Sequence, residues 1–144
     1  MLSLRGPDAI PPLNAAPSLP QYRGRILVVD DYADARSSVR DALEELGYEV
    51  FEAANGQQAL HFLVSRAAPG IELIVLDLVM PIMDGWQLLK LLNTYIGLRR
   101  IPVLIVSGHP ARLEESRHEH VVGILHAPYV MSELTAKVSA LLAH

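Results

Sequence analysis

Three aspartates stand directly after apolar runs of the sequence, and they are the residues best placed to do chemistry. Asp30 and Asp31 follow the run 26–29, and Asp77 follows the run 71–76. Continuous apolar runs of this length are typical of strands buried on both faces of a parallel sheet, and such sheets bind ligands beyond the carboxyl ends of their strands. We therefore expect all three carboxylates to lie at one edge of a sheet.

Such an acidic edge predicts a metal ion and an anionic ligand. Crowded carboxylates raise one another's pKa, and a hard cation such as Mg²⁺ offsets their repulsion, with Asp31 as a direct ligand and Asp30 direct or acting through water. Asp77 emerges alone from its strand and is the candidate nucleophile, since a carboxylate can form an aspartyl-phosphate. Ser107 offers a hydroxyl to a phosphoryl oxygen, and Gly108 permits a close approach of the loop.

The elements that must position these residues alternate regularly from Arg23 onward. Short β-rich runs are separated by stretches with helical spacing, which is the pattern of five strand–helix units. Right-handed crossovers then give an α/β fold, a doubly wound parallel sheet with helices on both faces. The strands are expected at 25–30, 48–53, 71–76, 101–106 and 121–125.

Helix ends are also predicted by the sequence. The first helix has Asp34 as its expected N-cap and Gly47 as its stop, and the third carries an apolar stripe from Leu88 to Ile96. The fourth has a single clear apolar anchor, so we expect it to be the loosest. The second is expected at about 56–65, the fourth at 111–120 and the last at about 132–143.

Composition divides the chain and excludes several classes of function. Residues 1–22 contain five prolines and no periodic apolar face, so we expect a flexible leader before one compact domain at 23–144. A net charge of −4, with Lys90 and Lys137 as the only lysines, argues against nucleic-acid binding. The absence of Cys, of a membrane-spanning run and of a signal peptide favours a cytoplasmic protein.

The segments around the aspartates resemble the receiver domain of bacterial two-component response regulators, over residues 24–142. This resemblance implies a flavodoxin-like (βα)5 fold. Its segments are Val28-Val29-Asp30-Asp31, Leu76-Asp77-Leu78-Val79-Met80-Pro81-Ile82-Met83-Asp84-Gly85, Ser107 and Pro128.

The same resemblance implies roles for these positions. Asp77 would accept a phosphoryl group from a histidine kinase or a phosphotransfer protein, and Mg²⁺ would be held by Asp30, Asp31, Asp77 and the Val79 carbonyl. Ser107 would contact the phosphoryl group and act as the switch that reshapes the face of the last two helices and the fifth strand. Pro128 and Gly85 would be structural, with Asp84 shaping the turn.

Two positions depart from the family pattern. Receivers carry a Lys directly before the fifth-strand proline, where this chain has Ala127, and an aromatic switch residue where it has Ile124. Loss of one charge-assisted hydrogen bond is worth about 1.5 to 3 kcal/mol, or 10- to 100-fold. His126 should point away from Asp77 because successive strand side chains alternate. His109 and Arg112, in the loop after Ser107, are the candidate cations that could take the place of the missing lysine.

We therefore expect a stand-alone receiver, not an enzyme, that signals to an unknown protein target by protein–protein contact. Receivers commonly self-associate, and the sequence leaves homodimer formation open. The alternative is a phosphorylation-independent interaction scaffold. A phosphatase of the haloacid-dehalogenase kind would need an acid where Val79 stands.

Trp86 is expected at the surface, and the histidines of 118–120 are expected at a solvated helix end rather than in a metal site.

Overall fold

The computed structural model describes residues 21–65, 70–108 and 120–143. Apolar runs at regular intervals form the strands, and amphipathic stretches between them form the helices. The strands are β1 (Arg25–Val29), β2 (Glu49–Ala53), β3 (Leu73–Asp77), β4 (Val103–Ser107) and β5 (Val121–His126). The helices are α1 (Ala33–Glu45), α2 (Gly56–Val64), α3 (Gly85–Thr94) and α4 (Met131–Leu141).

All five strands pair in parallel in the order β2-β1-β3-β4-β5. The order reverses direction between β1 and β3, which are neighbours in the sheet although β2 lies between them in sequence. Connections leave β1 and β3 toward opposite sides of this point, and a crevice forms beyond their carboxyl ends. The predicted doubly wound parallel sheet is confirmed.

Alternate residues of the strands supply two apolar layers, one on each face of the sheet. On one face, Leu27 and Ile74 pack with buried side chains of α2 and α3. On the other, Val28 and Val75 pack with buried side chains of α1 and α4. Because the strands are covered on both faces, they hold the residues at their carboxyl ends in fixed positions.

The first two helices begin differently from one another. The prediction that Asp34 caps α1 is wrong, because Tyr32 is the N-cap residue and Asp34 lies inside the first turn, where a negative charge favours the helix dipole. Asn55, which the sequence reading did not single out, caps α2 by accepting a hydrogen bond from the Gln58 N–H at 2.8 Å. Gly47 follows α1 with φ at 99°, as expected of a helix stop.

Two aromatic side chains were expected in the wrong environment. Trp86 is 8% exposed and belongs to the apolar layer under α2 and α3, because the first turn of α3 faces the sheet. His120 is 6% exposed and lies in a turn before β5, where its carbonyl accepts from the Val103 N–H at 2.8 Å. The expected solvated position of His120 is therefore wrong.

Some predictions fall outside the described residues. These are the leader up to residue 20, the fourth helix up to residue 119, and the side chains of His109, Arg112, His118 and Glu119. Within the described parts of the chain, each helix is too short or too polar to cross a membrane.

Candidate functional site

The structure brings Asp30, Asp31 and Asp77 together beyond the carboxyl ends of β1 and β3. The two strands pair in register, with Val29 opposite Leu76, so that the residues that follow emerge side by side. One carboxylate oxygen from each aspartate lies within 4.8 Å of the others. Asp30 and Asp77 are partly buried and Asp31 is exposed, so the cluster is open to solvent on one side.

Backbone donors hold the two partly buried carboxylates. The Tyr32 N–H donates to Asp30 Oδ1 at 2.9 Å, and the Val79 N–H donates to Asp77 Oδ1 at 3.2 Å. Arg36 Nη1 donates to the Asp30 carbonyl at 2.7 Å, while its Nε pairs with Glu52 on β2 at 3.0 Å. The carboxylates are thus oriented by the turns that follow their strands, and one guanidinium joins this edge to the neighbouring strand.

The charges of the cluster act on one another. Burial, together with the negative charges of Asp30 and Asp31, raises the pKa of Asp77 from 3.8 to about 6, although the hydrogen bond from the Val79 N–H lowers it in part. Burial also raises the pKa of Asp30, which the Tyr32 N–H and the charge of Arg36 lower in part. The two partly buried carboxyl groups therefore affect each other's protonation, and the pKa of each is raised above its ordinary value.

A cavity of about 330 Å³ opens beside Asp77. Ser107, 2% exposed at the end of β4, contributes to its wall together with Gly108. Ala127, directly after the fifth strand, lines the cavity, whereas His126, the last residue of β5, does not line it and is exposed at the position paired with Ser107. The full lining is Asp30, Ala35, Asp77, Val79, Val106, Ser107, Gly108, Ala127 and Tyr129.

The two positions that depart from the expected family pattern lie in different surroundings, Ala127 after the end of β5 and Ile124 within it. The Ala127 N–H donates to the Ser107 carbonyl at 2.8 Å, and the Ala127–Pro128 peptide bond is cis. The Ala127 methyl group lines the cavity, where it offers no hydrogen bond. Ile124 is partly buried against the apolar layer of α2 and α3.

The close packing around the loop between β3 and α3 requires a glycine at the start of α3 and another at the start of α2. A Cβ on Gly85 would lie 2.7 Å from the Asp77 carbonyl oxygen, and one on Gly56 would lie 2.7 Å from the Met83 carbonyl oxygen. These approaches let the Gly85 N–H donate to Leu78 and the Gly56 N–H donate to Met83, both at 2.9 Å. Asp84 caps α3 by accepting from the Gln87 N–H at 2.9 Å. The loop that carries Val79 is thereby tied to both α2 and α3.

Tyr129 lies at the cavity, although the sequence reading did not include it. Its ring packs against the apolar layer of α1 and α4, and the residue lines the cavity beside Asp77. Burial raises the pKa of its phenol, and the charges of Asp30 and Asp77 raise it further. Its position after Pro128 was the available signal, but the turn between β5 and α4 decides where the ring points.

The donor set suits a hard divalent cation. Carboxylate oxygens are the ligands that Mg²⁺ prefers, and the three aspartates present one oxygen each within a span of 4.8 Å. The cation would be held by Asp30, Asp31 and Asp77, with Val79 at the cavity wall as the expected carbonyl ligand. The residues present therefore fit the ion that the sequence predicts.

Comparison with known proteins identifies the family. The model of the response regulator receiver domain matches residues 26–139, and the chain belongs to this family. Receiver domains are signalling domains of two-component systems rather than conventional enzymes, and phosphorylation and Mg²⁺ binding are general properties of the family. The resemblance drawn from the aspartate motifs is confirmed.

Individual relatives have different architectures. Sporulation initiation phosphotransferase F of Bacillus subtilis is 30% identical over 110 residues, which cover 76% of this chain and 86% of that protein. Sensor histidine kinase TmoS of Ectopseudomonas mendocina is 32% identical over 139 residues, which cover 93% of this chain but 14% of the kinase. The chain thus corresponds to nearly all of one relative and to a small part of the other.

A solved structure supports the same fold. The signal receiver domain of a signal transduction histidine kinase from Syntrophus aciditrophicus superposes with a TM-score of 0.73 at 30% identity. The match covers 83% of this chain and 90% of that domain.

Proposed function

We propose that this chain is a phosphoryl-accepting receiver in which Asp77 takes the phosphoryl group from a histidine kinase or a phosphotransfer protein. The observation that carries the proposal is the position of Asp77. Its carboxylate ends the central strand of the sheet, is partly exposed, and lines an open cavity together with Asp30 and Ser107. A donor group can reach it from solvent.

The transfer is a displacement at phosphorus. An ionised Asp77 oxygen forms a bond to phosphorus as the bond between phosphorus and the histidine nitrogen of the donor breaks. The electron pair of the broken bond stays with the imidazole, whose other nitrogen carries a proton, so the ring leaves uncharged. The Val79 N–H donates a hydrogen bond to Asp77 Oδ1 at 3.2 Å, which leaves the other carboxylate oxygen of Asp77 for the attack on phosphorus.

Repulsion is the main obstacle, because three carboxylates and an anionic phosphoryl group meet at one edge. A bound Mg²⁺ would neutralise part of this negative charge and favour the ionised form of Asp77. Asp30, Asp31, Asp77 and the Val79 carbonyl are the proposed ligands. Ser107, whose side chain is almost fully buried at the cavity wall, is the proposed donor to a phosphoryl oxygen and the switch residue.

Signal output is proposed to pass by contact with another protein. The leader at 1–22, the stand-alone organisation, the cytoplasmic location and homodimer formation stay predictions.

The test is phosphorylation by a small donor. In the presence of Mg²⁺, acetyl phosphate should add one phosphoryl group to the wild type, with acetate as the leaving group, and intact-mass spectrometry should detect it. Asp77→Asn should take up none. Asp84→Asn is the matched control, because Asp84 is a nearby partly buried carboxylate whose capping role asparagine can fulfil.

Chelation of divalent cations should suppress the labelling of the wild type. An unlabelled wild type with a normal circular dichroism spectrum would contradict the proposal, as would equal labelling of wild type and Asp77→Asn.

The alternative is a receiver-like scaffold whose interactions do not depend on phosphorylation. Ala127 favours it, because a methyl group lines the cavity where other receivers have an ammonium group. Under this alternative a partner would bind wild type and Asp77→Asn equally well, with or without acetyl phosphate. Retention of three adjacent carboxylates favours the phosphoryl-accepting function, since their mutual repulsion is costly without a ligand.

A further inference from the structure

Tyr129 combines a fixed ring with a polar end near the acidic cluster. The ring is partly buried against the layer of α1 and α4 and also borders a small inner cavity with Val39 and Val75. Tyr129 lines the outer cavity with Asp77 and Ser107 as well. A buried tyrosine ring held by apolar neighbours directs its hydroxyl toward polar surroundings.

Hydroxyl donors at this cavity come from few residues. Among the described residues that line it, Ser107 and Tyr129 carry side-chain O–H groups, and the others carry carboxylates, small apolar side chains or none. None of the described lining residues is a lysine, arginine or histidine. A phosphoryl group on Asp77 would carry oxygens that accept hydrogen bonds from such hydroxyl groups.

Among the described residues, the cationic side chains of Arg36, Lys90 and Lys137 lie outside the cavity lining. Arg36 is bonded to the Asp30 carbonyl and to Glu52. Lys137 of α4 lies over the middle of β5, where a Cβ on Gly123 would be 3.0 Å from Lys137 Cε. Lys90 is exposed on α3, which covers the opposite face of the sheet.

We propose that the Tyr129 hydroxyl donates a hydrogen bond to a phosphoryl oxygen on Asp77 and so takes over part of the stabilisation that Ala127 cannot give. This inference rests on the proposed phosphorylation of Asp77. The phenol acts as a neutral donor: no proton is transferred and no bond to phosphorus changes. Tyr129 is thus a phosphoryl-binding residue that follows β5 and lines the same cavity as Ser107.

The substitution that tests this is Tyr129→Phe, which keeps the ring and removes the hydroxyl. One charge-assisted hydrogen bond predicts about a tenfold loss in beryllofluoride affinity in the presence of Mg²⁺ and about a tenfold shorter lifetime of the phosphorylated protein. Beryllofluoride is a tetrahedral mimic of the phosphoryl group, and its binding can be followed without any turnover.

Tyr95→Phe is the matched control, because Tyr95 is exposed at the end of α3 and away from the cavity. It should leave both quantities unchanged. Affinity for Mg²⁺ alone and the melting temperature should be the same in Tyr129→Phe as in the wild type, since the ring and the carboxylates remain.

The outcomes separate this inference from the proposed function. If the wild type accepts a phosphoryl group and Tyr129→Phe matches it in lifetime and beryllofluoride affinity, the role of Tyr129 is wrong while phosphorylation stands. A lower Mg²⁺ affinity together with a lower melting temperature in Tyr129→Phe would also overturn the inference, because these changes would indicate a structural role of the hydroxyl group. A wild type that is never labelled would instead remove the proposed function.

Discussion

The acidic ends of β1 and β3 and the carboxyl end of β5 border the same cavity but retain different amounts of receiver chemistry. At the first, Asp30, Asp31 and Asp77 all lie within reach of one cation. At the second, Ala127 lines the cavity with a methyl group where the family resemblance predicts an ammonium group, and Ile124 packs against the layer of α2 and α3 where the resemblance predicts an aromatic ring. The comparison suggests that acceptance of the phosphoryl group and its stabilisation can vary independently, because different strands provide them.

The sharpest way to test this comparison is to restore the cation. Ala127→Lys should prolong the lifetime of the phosphorylated protein by about 10- to 100-fold, since an ammonium group would gain a charge-assisted hydrogen bond to a phosphoryl oxygen. Decay of the acetyl phosphate adduct, followed by intact-mass spectrometry, measures it.

The effect of Ala127→Lys should be larger in a Tyr129→Phe background, where the phenol no longer contributes. His126→Lys is the control, because His126 is exposed and does not line the cavity. An unchanged lifetime in Ala127→Lys would mean that another group already supplies the charge and that the two regions differ less than their sequences indicate.

A second test addresses the backbone support of the acidic edge. Gly85→Ala should destabilise the protein by about 1 to 3 kcal/mol, because its Cβ would lie 2.7 Å from the Asp77 carbonyl oxygen and from Leu78 Cα, and backbone must move. Urea denaturation measures it. Gly97→Ala, which meets no atom within 4 Å, should change the free energy of unfolding by less than about 0.5 kcal/mol.

Mg²⁺ affinity should fall in Gly85→Ala as well, since the displaced backbone belongs to Asp77. Equal stabilities of the two glycine variants would show that the close approach is not rigid.

A smaller effect is expected from the charge of the cluster itself. Burial raises the folded-state pKa of Asp77 to about 6 from 3.8. The folded state therefore favours the protonated form of Asp77. The contribution of this form to the free energy of unfolding is present below pH 4 and is lost as the pH rises through 6. Above pH 6 the ionised carboxylate destabilises the folded state. Asp77→Asn should therefore stabilise the metal-free protein at pH 8 by about 1 to 2 kcal/mol, allowing for partial exposure.

The gain from Asp77→Asn should vanish below about pH 3, where the wild-type carboxyl group is protonated in both the folded and the unfolded state. Chemical denaturation in the presence of a chelator at both pH values measures it. Excess Mg²⁺ should reduce the gain at pH 8 by stabilising the wild type. A gain independent of pH would show that the packing of the amide, not the charge, is responsible.

The parts of the molecule that depend on strand periodicity could be predicted from the sequence, and those that depend on turns could not. The apolar runs before Asp30 and Asp77 define buried strands, and parallel pairing then brings their ends together whatever the loops do. Tyr129 follows a strand end and a proline, so its direction depends on a turn that has no periodic signal. The same limit explains Asp34, since an acid at the start of a helix suits either the N-cap or the first turn.

The fastening of the β3–α3 loop has a mechanical consequence. The Gly56 N–H at the start of α2 bonds to the Met83 carbonyl, and the space between them admits no side chain atom. Because of this contact, a shift of the loop at Met83 must also displace the first turn of α2. A ligand bound at Asp77 can in this way alter the position of α2, although α2 contributes no side chain to the cavity.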